Sequence, residues 1–139
     1  MIPTHQTIKS AGADLYAAEA VTIEPQQVRL VGTGFTLKDV LPTPQSKKRK
    51  AMGSDLVFML CNRSSIAYKK SLMVCNGVGV IDQDYTDEVK VMYINLSGEP
   101  QTINKGERIA QLVPMRYVPF IFHVENNERT GGFGSTNNE

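Results

Sequence analysis

Apolar and polar residues alternate over short stretches of this chain, and clusters of Gly, Pro, Asn and Asp separate the stretches. Val28 to Leu37 is rich in β-branched residues, and Asp55 to Cys61 is a compact apolar run. From Glu88 to Leu96 the alternation is clear: Val89, Val91 and Tyr93 fall on one face, Lys90, Met92 and Ile94 on the other. Ile109 to Met115 and Val118 to Val124 supply two more such runs. A period of two predicts half-buried strands. No window of twelve or more residues carries a helical stripe, and only Ser64 to Lys70 predicts a turn or two of helix. Several short strands with turn signals between them predict an all-β sandwich or barrel of the jelly-roll kind.

Composition narrows the class. A chain of 139 residues suits one domain with a real core, and a net charge of +1 gives no global basic field for nucleic acid or an anionic membrane surface. No apolar run approaches the length needed to span a bilayer. The start, Met1 to His5, lacks a charged segment followed by an apolar one, so no signal peptide and a cytoplasmic location are expected. Cys61 and Cys75 have no second thiol or histidine at metal-ligand spacing and read as buried free thiols. Leu41 to Lys50 is polar and proline-bearing and ends in the basic run Lys47 to Lys50, which predicts a solvated loop inserted over about residues 41–54. The sharper alternative is a polyanion patch or a nuclear-localisation signal, which would move the protein to the nucleus.

The last residues have their own chemistry. In Arg129-Thr130-Gly131-Gly132-Phe133-Gly134-Ser135-Thr136, three glycines surround one phenylalanine. Such a segment offers one apolar side chain against a large backbone-entropy cost and cannot fold alone. Glycine permits close backbone approach to a ligand, Arg and hydroxyls suit phosphate oxygens, and Phe can cover a flat ring. Residues 125–139 therefore read as a flexible arm that orders over a nucleotide, attached to a β domain over residues 1–124. A disordered terminus is the bland alternative.

Four further segments combine polar chemistry with turns or strand ends. Ala11-Gly12-Ala13-Asp14-Leu15 places a carboxylate just after a glycine turn. Cys61-Asn62-Arg63-Ser64-Ser65-Ile66-Ala67 sets an arginine beside two hydroxyls at a strand end. Asn76-Gly77-Val78-Gly79-Val80-Ile81-Asp82-Gln83-Asp84-Tyr85 reads as a hairpin with two carboxylates and an aromatic ring. Lys105-Gly106-Glu107-Arg108-Ile109-Ala110-Gln111-Leu112 puts a polar Gln in an otherwise apolar strand. Each has a mundane alternative: Asp14 as a turn residue, Arg63 as a surface ion pair, Asp82 and Asp84 as solvated carboxylates, Gln111 as an edge-strand residue. Five such motifs in this order are not accidental.

Together they resemble the homotrimeric dUTPase family, the deoxyuridine triphosphate nucleotidohydrolases, over nearly the whole chain: AGADL, NRSSIA, NGVGVIDQDY, GERIAQL and RTGGFGST. The resemblance implies a jelly-roll protomer, a homotrimer with sites at subunit interfaces, and Mg²⁺-dependent hydrolysis of dUTP to dUMP and pyrophosphate. That reaction limits uracil in DNA and supplies dUMP for dTMP synthesis. Attack at the α-phosphorus needs an activated water, and Asp82 matches the catalytic aspartate. Metal, arginine and hydroxyl donors must offset the charge of the triphosphate. Asp14 matches a residue that helps hold the metal through water. Arg63, Ser64, Ser65 and Gln111 match phosphate contacts, and Arg129, Gly134, Ser135 and Thr136 those of the closing arm. Tyr85 matches the ring that packs on the deoxyribose and excludes a 2′-hydroxyl. Phe133 matches the lid over uracil, and Asn76, Gly79, Val80 and Ile81 the base-reading edge.

The chain also departs from the family pattern. Thr86-Asp87 stand where Arg-Gly is common, the arm is one residue shorter between Arg129 and Phe133, Asn137 replaces a closing glycine, and Ser65 stands where many members have glycine. Arg-Ser-Ser also occurs in dCTP deaminase, a relative with the same fold. That reaction needs a glutamate on the strand after the hairpin, where this chain has Met92, and an arginine where it has Tyr68. A non-enzymatic trimer using the nucleotide as a switch is a second rival, against which every catalytic side chain is present.

Overall fold

A computed structural model describes residues 1–41, 55–120 and 131–133. Its strands are β1 Ala13–Tyr16, β2 Val21–Ile23, β3 Val28–Gly32, β4 Leu56–Asn62, β5 Leu72–Val74, β6 Gly79–Asp82, β7 Lys90–Asn95, β8 Gln101–Ile103 and β9 Arg108–Arg116. A 3-10 turn, Leu37–Asp39, and one helix, α1 Ser64–Lys70, complete the described elements. All strand pairings are antiparallel, in sheets ordered β1-β9-β4-β6, β3-β7-β5 and β2-β8. This is the expected all-β, jelly-roll-like class.

Alternation decides what is buried. On β7, Val91, Tyr93 and Asn95 point into the core while Lys90 is exposed. On β4, Leu56, Phe58 and Leu60 face inward, and the residues between them turn outward. The core gathers Leu15, Ile23, Phe35, Leu37, Ile103 and Ile109 around these strands.

Helix α1 spans the expected residues. It follows Arg63, whose backbone is extended, and buries Ile66. It stops where Ser71 turns left-handed at φ 52°, its N–H donating to the Ala67 carbonyl at 3.1 Å. Lys69 and Lys70 in its last turn complement the helix dipole.

Three expectations need correction. The run from Val28 forms strand only to Gly32, after which the buried Thr33 hydroxyl donates to the Val89 carbonyl at 2.6 Å and the chain bends into the 3-10 turn. The segment Asn76–Tyr85 is not a hairpin: β6 pairs with β4, while β5 pairs with β7, so the turn between β5 and β6 passes from one sheet to another. The thiols are free but not buried, because Cys61 falls on the outward side of β4 and Cys75 lies beyond the end of β5. Of the fifth predicted strand, Val118 to Phe120 is irregular, and residues 121–124 lie outside the described residues, as does the basic insert from residue 42 to 54.

One irregularity bears on the site. Between β1 and β9 the register runs Asp14 to Gln111 and Leu15 to Ala110, then jumps to Tyr16 opposite Arg108. Ile109 is the extra residue of a bulge.

Candidate active site

Asp14, Gln111 and Cys61 lie side by side across β1, β9 and β4. Directly paired residues of an antiparallel ladder point to the same face, so this row crowns the outer side of the four-stranded sheet. β9 is an interior strand, which removes the edge-strand alternative for Gln111. Its amide donates to the Asn62 carbonyl at 3.2 Å. A Cβ on Gly12 would meet Gln111 Oε1 at 2.3 Å, so only glycine leaves the amide where it is.

Two guanidinium groups hold Asp14. Arg63 Nε donates to Oδ1 at 3.0 Å, and Arg108 Nη1 to Oδ2 at 3.3 Å. Asp14 is only 6% exposed, so this is a shielded ion cluster rather than a solvated surface pair. Arg63 Nη1 also reaches Ser65 Oγ at 3.3 Å and the Arg108 carbonyl at 3.2 Å. Asp14, Arg63 and Gln111, with Gln6, Ser10 and Ser64, line a recess of about 420 Å³. Arg108 received no role from the sequence. Its signal was available, since a cation at the first position of an apolar strand, straight after Lys105-Gly106-Glu107, has no apolar function there.

A second cavity, about 290 Å³, shares no lining residue with the first. Asn76, Gly79, Val80, Ile81 and Tyr85 line it, together with Gly132 and Phe133 of the arm. The Tyr85 ring is buried and its hydroxyl donates to the Glu88 carbonyl at 3.2 Å, which fixes the ring plane. Gly79 is needed for close strand approach, since a Cβ there would meet Leu60 Cβ at 3.1 Å. Gly132 lies flat on Tyr85, where a Cβ would come within 2.9 Å of the ring. Met92 lines this cavity too, where a deaminase would need its glutamate, and Tyr68 is 90% exposed. Lys90 is a further lining residue that the sequence did not flag.

Asp82 is exposed on the edge strand β6, paired with Val57. It shares the outer sheet face with Asp14 but not its row. Four residues along β4 and three strand spacings separate the two, which puts their backbones roughly 20 Å apart. Between them the face presents Val57, Met59, Val80, Val113 and Met115, all at least partly exposed. Arg129, Gly134, Ser135 and Thr136 lie outside the described residues.

The molecule is thus an all-β protein with an arginine-carboxylate recess on one side and a mixed apolar cavity under an aromatic ring on the other. A family model described as dUTPase matches residues 1–137. A deoxyuridine 5'-triphosphate nucleotidohydrolase of Cytophaga hutchinsonii is 38% identical over 143 residues, covering 97% of this chain and 84% of that protein. The crystal structure of a dUTPase from Streptococcus mutans superposes with a TM-score of 0.73 at 28% identity, covering 87% of this chain and 89% of that one. A Staphylococcus bacteriophage 80alpha dUTPase variant with dUpNHpp shares the fold, with a TM-score of 0.70 at 24% identity and coverage of 98% and 91%. The chain belongs to the dUTPase family of nucleotidohydrolases.

Proposed function

We propose that this chain hydrolyses dUTP to dUMP and pyrophosphate, with Asp82 as the general base for water attacking the α-phosphorus. The observation that carries the reading is the sorting of motif residues into two compartments. Phosphate-type groups (Arg63, Ser64, Gln111) gather with Asp14 in one recess, and nucleoside-type groups (Asn76, Tyr85, Phe133) in the other cavity. Tyr85 then packs on the deoxyribose and leaves no room for a 2′-hydroxyl, the backbone from Gly79 to Ile81 reads the base, and Phe133 covers it. Ser65, Arg129, Gly134, Ser135 and Thr136 add phosphate contacts, the last four from an arm formed by residues 125–139.

Mg²⁺ fits as a metal brought largely by the substrate. Among the described residues no three His, Cys, Asp or Glu side chains cluster as a ligand set. Mg²⁺ commonly keeps several waters and takes one or two carboxylates plus substrate phosphates. Both Asp14 oxygens already accept from arginines, so Asp14 suits a contact through water. When bound, the metal offsets phosphate charge as the α-phosphorus reacts.

The distance between Asp14 and Asp82 supports a homotrimer with shared sites. No α-phosphate could touch both at about 20 Å, whereas the apolar face between them can seat another copy and bring its Asp82 to this recess. Such an enzyme limits uracil in DNA and supplies dUMP for dTMP synthesis, and a cytoplasmic location suits it. The test is pyrophosphate release from dUTP, dCTP, dTTP and UTP in parallel, with and without Mg²⁺. Strong preference for dUTP is expected; ammonia release from dCTP or comparable turnover of UTP refutes the reading.

A further inference from the structure

Tyr93 is fully buried on β7, yet its hydroxyl meets two acceptors, the Ile109 carbonyl and Asn62 Oδ1, the latter at 3.0 Å. A phenol has one proton to donate, so the two oxygens share it. The Ile109 carbonyl belongs to the extra residue of the β9 bulge, next to Arg108. The Asn62 amide is fixed in orientation: Nδ2 donates to the Leu72 carbonyl at 2.8 Å, and Oδ1 accepts the Arg63 backbone N–H at 2.9 Å. One phenol therefore ties together β7, the bulge that carries Arg108, and the corner between β4 and α1 that carries Arg63. Both arginines converge on Asp14. Neither Tyr93 nor Asn62 lines the recess, so any influence of the two side chains on a ligand passes through residues that do, Arg63 first among them, with Gln111 bound only to the Asn62 backbone carbonyl.

We propose that Tyr93 and Asn62 are positioning residues that set the Arg63 guanidinium toward the phosphate oxygens of the substrate. The inference rests on reading the recess as the phosphate site. An arginine on a strand-to-helix corner has many rotamers, and preorganising it retains the affinity that ordering would otherwise remove. Burial pushes the Tyr93 phenol well above its ordinary pKa, so it stays a donor throughout the neutral range.

The experiment is a double-mutant cycle on kcat/KM for dUTP with Tyr93→Phe, Arg63→Ala and the pair, each checked by thermal melting. Tyr93→Phe alone should lower kcat/KM about tenfold, through KM for the triphosphate, and leave the dUTP to dCTP preference unchanged. In the Arg63→Ala background it should lower it no further. An equal loss in both backgrounds, or none in the first, overturns the inference while the function stands. If Tyr93→Phe fails to fold, Asn62→Ala runs the same cycle, and failure of both to fold makes the pair purely structural and overturns the proposal. A wild-type chain that leaves dUTP intact removes the function itself.

Discussion

Single side chains set the chemistry. Replacing Asp82 with Asn keeps size but removes the proposed base, and a positioned general base is worth roughly 10²–10⁴-fold in rate. Turnover of dUTP should fall by that much while binding of a non-hydrolysable dUTP analogue persists; near-native turnover would move the role to Asp84. Gly12→Ala works by displacement. The new methyl would push Gln111 Oε1, the end of a flexible side chain, out of the recess. Melting should shift by only about 2–4 °C, equivalent to about 1 kcal/mol, while kcat/KM for dUTP falls about tenfold. These positions were legible because carboxylates, arginines and glycines keep their identity in sequence. What stayed hidden was partnership: nothing in the string says that Arg63 and Arg108 both end on Asp14, because that depends on a bulge.

Elements were legible in proportion to their length. β4, β7 and β9 have enough residues to show a period of two, and α1 was foreseen at its observed ends. β2, β5 and β8 have three residues each, too few for alternation to stand out from loop sequence. β6 was misread as half of a hairpin because pairing partners are a property of the sheets, not of the segment. The buried phenol on β7 gives this scale its own prediction. Burial raises the Tyr93 pKa in the folded state above the ordinary value of 10.0. The folded chain therefore holds its proton more tightly than the unfolded one. That contribution is fully present below about pH 10 and is lost as pH climbs through the raised folded value. Chemical denaturation from pH 8 to 11 should show stability falling more steeply for the wild type than for Tyr93→Phe. Equal slopes would mean the phenol is already ionisable in the folded protein.

At the scale of the whole molecule, the proposed function makes each chain's site incomplete until another copy supplies the missing groups. A protomer truncated after Glu128 lacks the arm but keeps Asp82, and an Asp82→Asn protomer has the arm but no base. Refolding the two together should restore activity that neither shows alone, and sedimentation should report a trimer. A fully active monomer would refute the shared-site arrangement. The resemblance made the shared site an expectation; the sequence could not show that Asp14 and Asp82 sit at opposite corners of one sheet face, because that follows from strand order.

The bulge at Ile109 amounts to a change of parity. Counting along β9, Gln111 and Val113 face outward on odd numbers, yet Arg108 reaches the same side on an even one, because one residue is spent without a partner in β1. Were the ladder to straighten with that residue kept and paired with Tyr16, Arg108 would be pushed one position along and would point into the apolar interior, away from Asp14. A single-codon deletion of Ile109 would thus keep Arg108 on the side of Asp14, and what it would remove is the buried side chain and the carbonyl that accepts from Tyr93.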